Sequence, residues 1–379
     1  MNNASRHILF LATEYDAPGM RPYARNIINA MWQEGDHVLI VTRDGVDNQA
    51  FPKIPAAAIT WIDYPTNKVA KAIFRFRPSS VHCEIERIID SHNISLVYSL
   101  TGELVLAPII KRLQRRLPML YTVHDAVYHP YKFSSLGKWL KDRLIIAWPQ
   151  QHLFKHTPCK VTNSHEQVQH IKRTYPYHKV YYAPFPTLVN DDIAQGSKHV
   201  DELKDIPDGY ILFFGTLHLY KGVHLLYESY LSHPKLQTHQ LVIAGTGDLY
   251  FDCEQDVKNV TIINRFVDDD ELRDLFTRAA VVVYPYTSAT QSGVTSIASY
   301  FGKPMVLSDL PFFRQTCENS EGVEFFPNGD TQALAAAIER SLQSSATTHD
   351  LYQREYAPHA LHAALDDIIT RTLGNNLLH

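Results

Sequence analysis

Short runs of apolar residues alternate with amphipathic segments along the whole chain. A buried strand is predicted over 7–12, a helix over 21–33 and a second strand over 37–42. This strand–helix–strand spacing is the repeating unit of a parallel α/β sheet. The same alternation continues to residue 183 and starts again at residue 210. The chain is therefore predicted to form two doubly wound α/β sheets in succession.

The break between the two alternating regions marks a domain boundary. Residues 191–208 are polar and turn-rich, and they predict a linker. A chain of 379 residues is also long enough for two domains. We predict an N-terminal domain over 1–190, a C-terminal domain over 209–350 and a closing helical segment over 351–379 that packs back on the N-terminal domain. Ligands of doubly wound α/β domains bind at the carboxyl ends of the strands. We therefore expect a ligand-binding cleft between the two domains.

Composition and charge narrow the class of protein. The chain is 45% hydrophobic and 20% charged, which is ordinary for a globular enzyme. Its four cysteines lie far apart without metal-ligand spacing, so we expect reduced thiols in a cytoplasmic protein. No stretch approaches the roughly 20 apolar residues of a membrane span. Residues 1–190 carry 23 basic and 14 acidic side chains and residues 191–379 carry 13 and 26, which predicts either different partners for the two halves or a drift of surface charge.

The most informative motif begins where a strand over 210–214 ends. Gly215 allows a ligand to approach the backbone closely, and Lys221 followed by Gly222 opens the next helix. A helix start and a lysine ammonium group both attract phosphate. A lysine and a glycine at a helix start are also common without any ligand, so this motif needs support from others.

Two further strand ends in this half carry candidate ligand-binding residues. The first contains Gly245 and Gly247, in a turn that serves backbone packing as often as ligand binding. The second contains Arg265 and Phe266, whose guanidinium group and aromatic ring can stack on a nucleobase. The alternative is that Phe266 belongs to the core and that the aspartates after it cap a helix.

The strongest candidate for an anion site is the element Gln291, Ser292, Gly293, Val294 and Thr295. It follows a predicted strand and opens a helix, so backbone N–H groups and the positive end of the helix dipole would face an anion. The hydroxyl groups of Ser292 and Thr295 add further hydrogen-bond donors. A purely structural loop is the alternative.

Together these motifs resemble glycosyltransferase family 4, whose members have the GT-B fold of two facing Rossmann-like domains. The element at 291–295 resembles a bacterial branch in which Thr-Gln-Ser-Gly-Val replaces the commoner motif of two glutamates separated by seven residues. In this chain the positions of those glutamates hold Ala289 and Ile297, and Thr216 stands where the family usually has an arginine. The usual ribose-binding carboxylate and one usual diphosphate contact are therefore absent.

The resemblance implies retaining transfer of a hexose from a nucleoside diphosphate sugar to a glycan or lipid-linked acceptor. It implies no cofactor and no metal ion. The diphosphate is implied to lie at Lys221 and at the helix start after Ser292. The implied donor-binding residues are Gly19, Gly215, Thr216, Lys221, Gly245, Gly247, Arg265, Phe266, Gln291, Ser292, Gly293, Val294 and Thr295.

In the front half the resemblance implies that His124 and Asp125 stand at the cleft, with His124 meeting the transferred sugar. Together with Lys221 they are the implied catalytic residues. Asp125 would orient the imidazole ring or touch the acceptor. Gly19 matches the family's glycine-rich loop near the donor phosphates. A histidine at a strand end is also commonly structural, and this chain has 20 histidines.

Residues 132–148 combine basic side chains, tryptophans and aliphatic residues. This pattern is typical of an interfacial helix that faces anionic lipid, and also of an ordinary helix with a buried apolar face. The first interpretation predicts peripheral contact with the inner face of the cytoplasmic membrane, where a lipid-linked acceptor for surface polysaccharide such as lipopolysaccharide would be met. We expect no nucleic-acid partner.

Two other functions remain open at this stage. A nucleotide-sugar epimerase of similar fold would convert the donor without an acceptor. A non-catalytic nucleotide- or glycan-binding protein would explain the missing arginine and glutamates. A nicotinamide dehydrogenase is disfavoured, because neither half has Gly-x-Gly-x-x-Gly after its first strand with an acidic residue about 20 positions later.

Overall fold

A computed structural model describes residues 6–16, 19–76, 78–101, 103–124, 126, 143–251, 257–289 and 292–374. The chain divides into two compact units, Met1–Pro186 with Leu361–His379 and Thr187–Ala360. Each unit is built on one parallel sheet with helices packed against it.

The first unit contains a seven-stranded sheet within its described residues. Its strands are β1 (Ile8–Ala12), β2 (His37–Thr42), β3 (Ile59–Asp63), β4 (Leu96–Thr101), β5 (Met119–Thr122), β6 (Cys159–Thr162) and β7 (Lys179–Tyr182). Its helices before residue 187 are α1 (Met20–Met31), α2 (Lys68–Phe76), α3 (Ser79–Ser91), α4 (Glu103–Leu106), α5 (Ile110–Arg116), α6 (Trp148–His156) and α7 (His165–Thr174). The spatial order is β3-β2-β1-β4-β5-β6-β7, and all neighbours are parallel.

Strand β1 shows why these sequences form a sheet covered on both faces. All five of its residues are buried. Ile8, Phe10 and Ala12 pack into one apolar cluster, and Leu9 and Leu11 pack into a second. Successive side chains of a strand point to opposite faces, so the two clusters lie on opposite sides of the sheet. A continuous apolar run is the pattern expected for such a parallel strand.

Over the residues of the second unit that the structure describes, the sheet has six parallel strands. Its strands are β8 (Tyr210–Phe214), β9 (Leu241–Ala244), β10 (Val260–Ile263), β11 (Ala279–Tyr284), β12 (Met305–Ser308) and β13 (Val323–Phe326). Its helices are α8 (Asp191–Gln195), α9 (Val223–Ser232), α10 (Leu272–Thr277), α11 (Val294–Tyr300), α12 (Pro311–Cys317), α13 (Thr331–Gln343) and α14 (His349–Glu355). The spatial order is β10-β9-β8-β11-β12-β13.

The last helix, α15 (Pro358–Gly374), packs against the first sheet from residue 361 onwards. Its buried apolar side chains are Leu361, Leu365, Ile368 and Ile369. They recur at the spacing of one helix face and join the cluster that contains Phe10 and Ile27. Helix α14 belongs to the second unit, so residues 351–379 are divided between the two units.

Residues 191–208, which we expected to be a linker, are part of the second unit. They form α8 and a 3₁₀ turn over Asp201–Leu203. Three of their apolar side chains are buried in the core of that unit, Ile193, Val200 and Leu203. The amide nitrogen of Asn190 also donates to Asp269 at 2.7 Å. The composition is polar overall, but these apolar residues tie the segment to the sheet.

Lys160, in β6, is fully buried. Its ammonium group donates to the carbonyl oxygen of Thr157 and lies 2.8 Å from Nδ1 of His178. The rings of Phe154 and Tyr175 lie 5.5 and 5.9 Å from Nζ. No carboxylate in the described ranges pairs with it, and burial lowers the pKa of Lys160 to about 7.

Replacement of Lys160 by methionine should therefore raise the free energy of unfolding at pH 7, by on the order of 1–3 kcal/mol. The unfolded chain keeps this lysine protonated up to a pKa of about 10.4, whereas burial penalises the proton in the folded state. The destabilisation of the folded state by the buried charge is complete below about pH 7 and disappears as the pH approaches 10.

Urea unfolding at pH 7 and pH 10 measures this difference. Lys160→Met should increase the free energy of unfolding more at pH 7 than at pH 10. The control Lys179→Met, at an exposed position of β7, should have little effect at either pH. An equal gain for Lys160→Met at both values would contradict the explanation.

Candidate functional site

The order of the second sheet reverses between β8 and β11, so the loops that follow these two strands lie side by side. The backbone N–H of Thr287 donates to the carbonyl oxygen of Tyr220 at 2.8 Å. Gly222, at φ +66°, approaches so closely that a Cβ there would lie 1.8 Å from the carbonyl oxygen of Pro285. Only glycine fits this position, which joins the two loops into one surface.

Lys221 lies in this surface, at the end of the 3₁₀ turn Leu219–Lys221 and directly before α9. Its side chain is only 8% exposed. Nζ lies 3.8 Å from the ring centroid of Tyr286 and 5.2 Å from that of Tyr220. Among the residues that the structure describes, no carboxylate pairs with it, and burial lowers the pKa of Lys221 to about 7. Burying a cation without a counter-ion is unfavourable, so an anion is the partner that this position would bind best.

The described part of the predicted diphosphate element contacts Tyr286, the residue whose ring faces Lys221. Ser292 is buried, with its hydroxyl oxygen 3.5 Å from the hydroxyl of Tyr286. Gly293 immediately precedes α11, whose first residue is Val294. Gln291 lies outside the described residues.

Thr295 is placed differently from our expectation. Its side chain is fully buried, and its hydroxyl oxygen lies 3.2 Å from the carbonyl oxygen of Ser292 and 2.8 Å from the hydroxyl of Tyr356. These contacts satisfy the hydroxyl within the core. Its side chain therefore braces α11 and is not available to a ligand.

The predicted glycines in the loops after β8 and β9 have a packing role. A Cβ on Gly245 would lie 1.9 Å from the carbonyl oxygen of Gly215, and one on Gly247 would lie 2.8 Å from that of Leu217. All three glycines have φ between +146° and +149°. Their packing positions the loop that leads to Lys221. Thr216, in the same loop, is exposed.

The two candidate base-binding residues, Arg265 and Phe266, both lie in the loop after β10 but have different surroundings. The guanidinium group of Arg265 contacts both carboxylate oxygens of Glu202 at 2.8 Å and both of Glu271 at 2.7 and 2.8 Å. Because two carboxylates already bind it, Arg265 is placed as a structural cation and not as a free stacking group. Phe266 is 70% exposed, which leaves it as the candidate platform for a nucleobase.

The predicted residues of the first unit lie after β1 and β5. Gly19, at φ +78°, directly precedes α1, and within the described part of the chain no heavy atom lies within 4 Å of the position of a Cβ there. His124 follows β5, with Nε2 2.8 Å from the carbonyl oxygen of Leu100. Its ring packs edge-on against Tyr23 at 4.7 Å between centroids. Asp125 lies outside the described residues.

Comparison with known families decides the class of protein. The family model described as Glycosyltransferase Family 4 matches residues 18–186, and the model described as Glycosyl transferases group 1 matches residues 208–344. The chain belongs to glycosyltransferase family 4. The sequence-based prediction of the family is thereby confirmed.

Solved structures show the fold of this glycosyltransferase. Sucrose-phosphate synthase from Thermosynechococcus elongatus is 18% identical, with a TM-score of 0.64 over 98% of this chain and 99% of that one. Anabaena HepE in complex with UDP is 15% identical, with a TM-score of 0.66 over 96% of this chain and 100% of that one. The α/β GT-B fold predicted from the sequence is confirmed.

A curated relative of the glycosyltransferase is the O-antigen chain mannosyltransferase C of Escherichia coli. The two are 22% identical over 246 residues. The match spans 60% of this chain and 60% of the relative.

The sequence motifs of this glycosyltransferase pointed to Lys221 but assigned no role to Tyr220 and Tyr286. Tyr220 stands directly before the lysine, and Tyr286 lies between the end of β11 and the element at 291–295. The contact of Tyr286 with Nζ depends on the meeting of two loops and has no local sequence signal. In the described part of the chain, no group of three or more histidine, cysteine, aspartate or glutamate side chains could hold a metal ion.

Gly245→Ala should destabilise the glycosyltransferase by on the order of 3 kcal/mol or more, because the new methyl group meets the backbone at a strained φ. Gly329→Ala is a matched control, since φ there is +83° and no heavy atom of the described residues lies within 4 Å of the added Cβ. The free energy of unfolding of the control should fall by only about 1–2 kcal/mol. Urea unfolding measures both, and equal losses would refute the packing role of Gly245.

Proposed function

We propose that this glycosyltransferase is a metal-independent, retaining hexosyltransferase of bacterial surface polysaccharide synthesis. Its donor is a nucleoside diphosphate sugar and its acceptor a glycan or a lipid-linked glycan. The O-antigen mannosyltransferase relative supports the pathway class, and the solved neighbour that binds UDP supports the class of donor. The single observation that carries the proposal is the buried Lys221, which has aromatic faces around it and no carboxylate partner in the described chain.

The proposed mechanism assigns the leaving diphosphate to this lysine. Bond breaking at the anomeric carbon places negative charge on the diphosphate oxygen, and a preorganised ammonium group stabilises that charge without a metal ion. Ser292, whose hydroxyl oxygen lies 3.5 Å from the hydroxyl of Tyr286, is assigned as a further donor to the diphosphate. Phe266 offers its exposed ring to the nucleobase.

The acceptor side of the mechanism rests on the first unit. We assign His124 to positioning of the transferred sugar and Asp125 to the acceptor or to the imidazole ring. Retention without a carboxylate nucleophile fits a same-face reaction. The acceptor oxygen then bonds to the anomeric carbon as the bond to the diphosphate breaks, and the acceptor proton passes to the leaving phosphate oxygen.

Lys221→Ala should lower donor turnover on the order of 10²–10³-fold, because loss of a charge-assisted contact to the leaving group removes about 2–4 kcal/mol of transition-state stabilisation. The donor is found first by thermal shift with UDP-, GDP- and dTDP-sugars, since a bound ligand raises stability. Release of nucleoside diphosphate in the presence of extracted bacterial glycolipids then measures turnover.

Lys235→Ala is the control for this experiment. That lysine is exposed and pairs with Glu339 at 2.5 Å, away from the loops of the site. It should keep wild-type turnover. Activity of Lys221→Ala within a few-fold of wild type would show that the diphosphate site is wrong. Conversion of the donor without acceptor would favour an epimerase, and binding without turnover a non-catalytic binder.

We also propose peripheral contact with the inner face of the cytoplasmic membrane. Leu144, in the π-helical segment Arg143–Ala147, is 49% exposed, and Trp148, the first residue of α6, is 48% exposed. Burial and the positive charges of Lys111 and Lys155 lower the pKa of His152, whose ring stacks on Trp148. Two lysines therefore lie near the ring that packs on Trp148. This combination suits an anionic lipid surface. In the described ranges no helix is long and apolar enough to cross a membrane.

The double variant Leu144→Glu, Trp148→Glu should bind vesicles of phosphatidylglycerol and phosphatidylcholine about tenfold more weakly than wild type, because it replaces inserted apolar area with negative charge. Co-sedimentation measures the bound fraction. Tyr177→Glu changes a side chain of the same unit that is 95% exposed, and it should bind like wild type. Equal binding of the double variant and wild type would argue against this contact.

A further inference from the structure

Two aromatic faces enclose the ammonium group of Lys221. Tyr286 is the nearer, with its ring centroid 3.8 Å from Nζ, and Tyr220 lies at 5.2 Å. The two rings stand nearly perpendicular to one another, at 77° and 6.3 Å between centroids. The negative face of an aromatic ring attracts a cation, and the attraction is strongest where water is excluded. The ammonium group is therefore attracted from two directions.

Tyr286 is held rigidly in this position. It is fully buried, and its carbonyl oxygen accepts a hydrogen bond from the Ser308 hydroxyl at 2.6 Å. Its ring packs against Tyr284 at 5.7 Å and Phe313 at 5.4 Å between centroids. The ring face presented to Lys221 is thus set by the core of the second unit.

Among the described residues, the titratable groups that stack on Tyr220 and that lie at the start of α9 are histidines and tyrosines. Tyr220 stacks on the imidazole of His218, with 6.0 Å between ring centroids. The hydroxyl of Tyr250 lies 3.3 Å from Nδ1 of His224, at the start of α9. Within the described residues, neither loop nor α9 supplies a carboxylate to Nζ.

We propose that Tyr286 is a positioning residue for Lys221, with its ring face in the place that a carboxylate counter-ion would take. A carboxylate would neutralise the ammonium group and compete with an arriving diphosphate. A ring face orients the cation without neutralising it, so the positive charge remains available to the donor. The identity of that anion rests on the proposed function, whereas the contact between ring and cation does not.

The contact has a consequence for the proton on Lys221. Burial favours the neutral amine, whereas the ring favours the ammonium ion. Removing the ring while keeping the site buried should therefore lower the pKa of Lys221 further. A side chain that served only to fill space would have no such effect.

NMR titration of lysine labelled with ¹³C at Cε measures this pKa directly in the unliganded protein. The signal of Lys221 is identified by its absence from Lys221→Arg. In Tyr286→Leu its midpoint should fall by about one pH unit. In Tyr286→Phe, which keeps the ring face, it should stay at the wild-type value.

Tyr210→Leu is the control for lost stability, because it makes the same change in a buried tyrosine at the opposite end of β8. It should leave the midpoint unchanged. If Tyr286→Leu fails to fold, Tyr220→Leu gives the same test with a smaller fall, since that ring is more distant and 43% exposed. A midpoint that stays or rises in the leucine variants, or falls equally in Tyr286→Phe, would overturn the proposal.

Binding of UDP and GDP separates this inference from the proposed function. Calorimetry should show that the nucleotide that binds wild type binds more weakly as the pH rises through the Lys221 midpoint, and that Tyr286→Leu moves this loss to lower pH by the same amount. If the midpoint shifts as expected but Lys221→Met binds both nucleotides as wild type does, the contact stands and the diphosphate assignment is wrong.

Discussion

The close approach of Gly222 to the carbonyl oxygen of Pro285 sets the geometry at the carboxyl edge of the second sheet. It brings the loop after β8 against the loop after β11, at the point where the strand order reverses. Lys221 precedes that glycine and Tyr286 follows that proline, so this one backbone contact places the cation on the ring. Because a Cβ at position 222 has no space, any larger residue there would push the two loops apart and disrupt this arrangement.

Three cations of this protein show how pairing distinguishes structural from ligand-binding roles. Arg265 contacts two carboxylates, which neutralise it and tie three segments of the second unit together. Lys160 is buried, but a carbonyl oxygen and an imidazole nitrogen receive its ammonium group. Lys221 has ring faces and no carboxylate partner in the described chain. It is the member of the three whose charge is available to a ligand.

The alternation of strands and helices was predictable from the sequence. Parallel strands that are covered on both faces have continuous apolar sequences, as β1 and β8 illustrate. Prediction was weaker where burial is partial. The edge strand β13 has three half-buried residues of four and shows no such run. From the sequence, residues 191–208 were predicted to be a linker, because the three apolar side chains that are buried there are dispersed among polar ones.

By itself the amino-acid sequence determined the family, the α/β GT-B fold and the position of Lys221 before a helix start, since each depends on residues close together in the chain. Only the tertiary structure decided which polar groups remain available to a ligand. Thr295 meets Tyr356 across 61 positions and Arg265 meets Glu202 across 63, so their hydroxyl and guanidinium groups are occupied by partners that no local pattern reveals. The aromatic contact of Lys221 has the same origin, because packing between distant loops decides which charges are paired.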